Sequence, residues 1–82
     1  MARIIDGKHM NMVGPNVRKY RLERKMSQQE LSNKLELMAI YVCRGSISRI
    51  EDRQRTVTDM ELYGLAAALG VSVSDLFLPP EG

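Results

Sequence analysis

The chain has 82 residues, 44% of them hydrophobic, with a formal net charge of +2 and a single cysteine, Cys43. This fits one small globular domain and excludes an intrachain disulfide framework, a cysteine-built metal site and, lacking an apolar run of about 18 residues, a membrane-spanning helix. A domain of this size buries only about 60–65% of its unfolded surface, so dimerisation is an expected source of stability.

Residues 1–13, MARIIDGKHMNMV, show no sustained periodicity and read as a terminal arm or an expression tag. His9 lies in this stretch, is the chain's one histidine, and reads as inert rather than as a ligand. A first helix is predicted from about Pro15 or Asn16 to Lys25, with proline well placed in the first turn. Val17 and Tyr20 form its inward edge together with Val13.

The second helix opens at SQQE, where Ser27 caps and Glu30 closes a capping box. Leu31, Leu35 and Met38 then recur at helical spacing. Across ELMAIYVC (36–43) the pattern turns continuously apolar, predicting either a longer second helix or a buried connection. A third helix occupies about Arg44 to Asp52. The fourth opens with a second box, TDME (58–61), buries Leu62, Leu65, Ala66 and Leu69, and ends at Gly70. A short fifth helix, SVSDLF (72–77), is capped by Ser72 and stopped by Pro79-Pro80. Met26, Met38 and Met60 read as core filler. No β alternation and no internal repeat is present, so the fold reads as all-α.

The charge is unevenly spread. From Gly14 to Arg55 there are ten Lys/Arg and five acids, a net of +5; from Thr56 to Gly82 there are four acids and no base, a net of −4. Such a basic half points toward a polyanion. Its densest part is CRGSISRIEDRQR (43–55), with four arginines and two aliphatic residues. On a wheel of about 100° per residue, Ile47 and Ile50 form the buried edge of the third helix. Gly45, Ser48, Arg49 and Asp52 fall opposite, with Arg44 at the margin. Small residues let a helix approach a surface closely, and an arginine fork matches guanine O6 and N7 in the DNA major groove. Arg53, Gln54, Arg55 and Thr56 lie just past the helix, placed to grip phosphates. The other reading of this charge is an ordinary solvated helix face.

Three segments, VRKYRLERKMSQQELSNKL, GSISRIEDRQR and LYGLAAALGVSVSDLF, together resemble the helix-turn-helix domain of the lambda-repressor/Cro class. They look most like the bacterial regulators often called the xenobiotic-response-element family. The resemblance covers about Gly14 to Leu78, leaving 1–13 as the arm and 79–82 as a tail. It implies a compact five-helix bundle whose third helix reads the major groove. Arg44, Gly45 and Arg49 match positions that face base edges, with Ser48 beside them. Gln28 matches a phosphate-contacting position at the start of the second helix, and Ser46 falls with the phosphate-contacting residues. Arg53, Gln54, Arg55 and Thr56 match the backbone-gripping loop, and Arg21 and Glu51 match a buried ion pair.

The chain departs from this family in four places. The stretch before the third helix is longer than in the shortest members; Cys43 stands where a serine cap is usual; Gly45 replaces a side chain able to touch a base; and Glu51-Asp52-Arg53 replaces Glu-Asn-Gly. Cys43 sits at a helix start beside Arg44 and Arg49, which would lower its thiol pKa and allow a redox switch; a small residue tolerated at a cap is the simpler account.

With no second histidine, metal-ligand cluster or glycine-rich phosphate loop, the chain implies no enzyme, cofactor or metal. The expectation is therefore a cytoplasmic, sequence-specific transcriptional regulator. We expect a repressor acting as a homodimer on a palindromic double-stranded operator, with no membrane partner. The dimer is expected near Leu76, Phe77 and Leu78, and the short chain leaves no room for a separate effector domain. The competing class is a protein-interaction module of the same fold, such as an antitoxin or coactivator-like protein. Apolar anchors facing outward on the third helix would mark it.

Overall fold

Pro15 lies in the first turn of α1 (Gly14–Glu23), where a missing backbone N–H leaves no bond unmade. The structure is a computed structural model that describes residues 9–78. Past α1 the chain reverses through Lys25, whose φ of 54° is left-handed, and the Met26 N–H returns to the Arg21 carbonyl at 3.0 Å. α2 (Gln28–Leu37) begins at a full capping box: Ser27 Oγ accepts from the Glu30 N–H, and Glu30 accepts from the Ser27 N–H. α3 (Arg44–Glu51) starts at Cys43, whose side chain makes no cap bond, in keeping with a thiol's poor accepting power. α4 (Asp59–Leu69) opens with the Thr58/Glu61 box and stops at Gly70, whose φ of 71° suits glycine. α5 (Val73–Leu76) repeats the device with Ser72 and Asp75. Among the described residues there is no strand.

The apolar run after Leu35 resolves as a connection rather than a longer helix, and only Ile40 and Val42 of it are buried. α2 stops at Leu37, Ala39 takes a left-handed φ of 60°, and the Ile40 N–H closes on the Leu35 carbonyl. The connection then alternates. Ile40 and Val42 turn into the core, while Leu37 and Tyr41 stand 89% and 76% exposed. Helical spacing alone does not anticipate this, because the left-handed turn resets which residues face inward.

The core collects Val13 and Val17 before and on α1, Leu31 and Leu35 on α2, and Ile47 and Ile50 on α3. Leu65 and Leu69 on α4 and Leu76 on α5 complete it. Each such side chain contributes on the order of 1.5–3 kcal/mol through burial. α3 packs against both α1 and α2, so its orientation is set from two sides.

Three expectations are corrected here. Met60 is 65% exposed and not core filler, because it lies in the first turn of α4 ahead of the inward stripe from Leu65. Leu76 is fully buried, fastening α5 to the bundle, and offers nothing to an interface; Phe77 and Leu78 remain exposed. Residues 10–13 do not behave as a loose arm: Asn11 and Val13 are buried, and Asn11 is hydrogen-bonded into the domain. The stretches 1–8 and 79–82, including the proline stop, lie outside the described residues.

Candidate nucleic-acid interface

α3 is held by Ile47 and Ile50, both at 0% exposure, one turn apart on its inner side. Its outer side shows Arg44, Gly45, Arg49 and Asp52 to solvent, with Ser46 and Ser48 half-buried. A Cβ built on Gly45 meets nothing within 4 Å, so the helix is flush and open at that point. No large apolar side chain stands on this face. Arg49 Nη2 lies 3.5 Å from Ser46 Oγ, a long contact that leaves most of the fork available.

The start of α3 is shaped by Cys43 and Ser46, whose Sγ and Oγ are 3.5 Å apart. The Ser46 hydroxyl holds the exposed Cys43 thiol below its ordinary value, helped by the Ser46 and Gly45 backbone N–H groups. The Arg49 charge lowers it further as the smallest of these causes, so the expected arginine effect is present but secondary to the Ser46 hydroxyl. Tyr41, Val42, Cys43, Ser46, Ser32 and Glu36 line a shallow hollow beside this helix start.

Behind α3 lies a charged knot. Arg21 Nε and Nη2 donate to Glu51 at 2.6 and 3.0 Å, and Arg21 Nη1 donates to the Met26 carbonyl at 2.8 Å. Gln28 Nε2 donates to Glu51 Oε1 at 3.1 Å, the same oxygen that accepts from Arg21 Nη2. Arg21 and Glu51 are both buried, so one carboxylate ties α1, the start of α2 and the end of α3 together. With its amide N–H₂ turned to Glu51, Gln28 keeps its own backbone N–H at the exposed start of α2.

The loop after α3 holds the last predicted cluster, and the structure divides it. Gln54 and Thr56 are exposed. Arg53 takes a left-handed φ of 62° and its Nε donates to the Asn11 carbonyl at 2.8 Å. Arg55 forms a two-pronged pair with Glu61 at 3.1 and 2.9 Å. Two participants escaped the sequence reading. Asn11, three residues before Gly14, is the arrangement in which a side-chain amide closes a turn at a helix start. Glu61 was legible as a capping residue but not as the partner of Arg55.

Among the described residues no group of three or more His, Cys, Asp or Glu is placed to hold a metal, and no helix is long and apolar enough to cross a membrane.

Comparison with known proteins agrees with this layout. A helix-turn-helix family model matches residues 17–76, well over half of the chain. A solved structure described as a hypothetical transcription factor, NHTF, from Neisseria superposes with a TM-score of 0.73 at 28% identity, over 98% of this chain and 87% of that one. No curated protein matches.

Proposed function

The chain belongs to the helix-turn-helix family, and from that membership we propose a sequence-specific transcriptional regulator whose α3 enters the DNA major groove. The observation that carries the reading is the outer face of α3. Arg44 and Arg49 flank an open Gly45 on a helix pinned by two fully buried isoleucines. Such a face lets the backbone come close to base edges while arginine reaches past it. Arg44, Gly45, Ser48 and Arg49 are the proposed base readers. Gln28, Ser46, Arg53, Gln54, Arg55 and Thr56 are the proposed phosphate contacts. The likeness to a hypothetical transcription factor from Neisseria supports the same class.

The finer reading is a repressor, working in the cytoplasm as a homodimer on a palindromic operator. Met12, Phe77 and Leu78 are exposed apolar groups outside the α3 face, and Phe77 and Met12 line one hollow with Val57 and Leu62. These are the proposed dimer contacts in place of Leu76. Sedimentation showing a monomer both free and on DNA would remove the dimer.

One observation favours a protein partner instead: Met38, Ile40, Asp59, Met60 and Tyr63 line an apolar cleft away from α3. The deciding experiment retains random duplexes on the purified chain at two salt concentrations and sequences them. An enriched palindrome with half-sites about one helical turn apart supports the operator reading. Retention without enrichment, lost steeply with salt, leaves phosphate gripping alone. No retention at either salt overturns the DNA reading in favour of the partner cleft.

A further inference from the structure

We propose that Asn11 is a positioning residue for DNA binding, clasping the 53–56 loop and the end of α3 in the pose that meets phosphate. The inference rests on the DNA-binding reading and assigns a part to a segment outside the matched helix-turn-helix region.

The Asn11 amide is buried and uses both its ends. Oδ1 accepts from the Gly14 N–H at 2.8 Å, a local bond that shapes the entry to α1. Nδ2 donates to the Ile50 carbonyl at 3.1 Å and to the Arg55 carbonyl at 2.8 Å, partners about forty residues away in sequence. The neighbouring main chain reinforces this. The Asn11 carbonyl accepts from Arg53 Nε at 2.8 Å, and the Met10 N–H donates to the Arg53 carbonyl at 3.0 Å.

Three points of the loop and helix end, Ile50, Arg53 and Arg55, are thus tied to one short stretch. The loop needs such a tie. Arg53 holds a left-handed backbone that a side chain disfavours, and such a conformation persists where its surroundings over-determine it. Fixing Nε also orients the Arg53 fork, leaving its Nη groups as the donors for an anion. Gln54 and Thr56 are both exposed, and apart from the Gln54 N–H bond to the Arg49 carbonyl at 2.8 Å the clasp is what sets their height against a duplex.

The test compares the full chain with Asn11→Ala, Asn11→Asp and a control of matched stability on α4, Ala66→Gly. All are measured at a temperature where circular dichroism shows each folded. The readouts are affinity for a random-sequence duplex and amide hydrogen exchange of Gln54, Arg55 and Thr56. Asn11→Asp keeps the acceptor for Gly14 and removes the two long-range donations. The expected result is about tenfold weaker binding for both Asn11 variants, with faster exchange confined to the loop, and neither change in the control. Rescue of binding and exchange by Asn11→Asp overturns the proposal, since Asn11 then only shapes the α1 entry. Variants no weaker than the control overturn it too. Failure of the unmodified chain to bind duplex sinks the DNA reading instead, and the exchange data still decide whether Asn11 holds the loop.

Discussion

Arg55 and Glu61 face each other across the turn between α3 and α4, Nη1 to Oε1 at 3.1 Å and Nη2 to Oε2 at 2.9 Å. Glu61 Oε1 also accepts the Thr58 N–H at 3.0 Å, so one carboxylate serves as both ion-pair partner and helix cap. The Arg55 guanidinium, first, and the Thr58 cap hold the Glu61 carboxyl below its ordinary value, with partial burial opposing them. A depressed folded-state pKa contributes stability above the unfolded value of about 4.3, and that contribution fades as pH falls through the folded value. Glu61→Gln is expected to lower stability at pH 7 by about 1–2 kcal/mol. In urea denaturation series taken from pH 6 to pH 2, its deficit against the native chain should hold level until about pH 4.3 and shrink below it. A deficit that does not change with pH would show that the charge on Glu61 is irrelevant to the fold.

The same pair bears on DNA. Arg55 is partly neutralised before any phosphate arrives, whereas the Arg49 fork has no carboxylate partner among its described contacts. Arg49→Ala is expected to cost about 1–3 kcal/mol on the preferred site and to relax sequence choice there. Arg55→Ala should weaken binding to all duplexes alike and flatten the salt dependence by about one unit of slope. Titrations of both variants against the selected site and random DNA at several salt concentrations distinguish the two roles. Matching behaviour on the two DNAs would erase the division between reading and gripping residues.

Glu51 receives three donors, two from Arg21 and one from Gln28, inside the bundle. Removing it alone strands a buried guanidinium, so Glu51→Ala should cost about 3–5 kcal/mol in urea denaturation. Replacing both partners with apolar residues, Arg21→Met with Glu51→Leu, should recover most of that loss, because desolvation offsets much of a buried pair's attraction. DNA affinity should stay low in the double variant, since Gln28 has lost its anchor. Recovery of affinity along with stability would mean the pair does not orient the interface.

Local chemistry made much of this molecule readable from its residues. The boxes at Ser27, Thr58 and Ser72 and the glycine at 70 each satisfy bonds within a few positions, so their elements appear where the spacing puts them. Ile47 and Ile50 fixed the inner side of α3, and with it the outer one. What stayed hidden depends on distant partners. Nothing near Asn11 in sequence announces the Ile50 and Arg55 carbonyls, and Arg55 next to Thr56 gives no sign of the Glu61 carboxylate one turn into the next helix. The left-handed turn at Ala39, a residue that usually favours helix, likewise concealed which of Leu37, Ile40 and Tyr41 would face water.

Gly45 and Gly14 sit near opposite ends of α3 and should respond oppositely to the same methyl group. At Gly45 an added Cβ meets nothing within 4 Å, so alanine gains helix propensity without a clash. Gly45→Ala should therefore raise stability by about 0.5–1 kcal/mol, read as a higher urea midpoint. At Gly14 the Cβ would lie 2.1 Å from the Ile50 carbonyl oxygen and 3.0 Å from that of Glu51. Both are backbone atoms at the end of α3, and neither can swing aside. Gly14→Ala should lower stability by about 1–3 kcal/mol as α1 is pushed off that helix end. If Gly45→Ala lowered the midpoint, the outer side of α3 would not be open. If Gly14→Ala were silent, the close seat of α1 on α3 would be wrong.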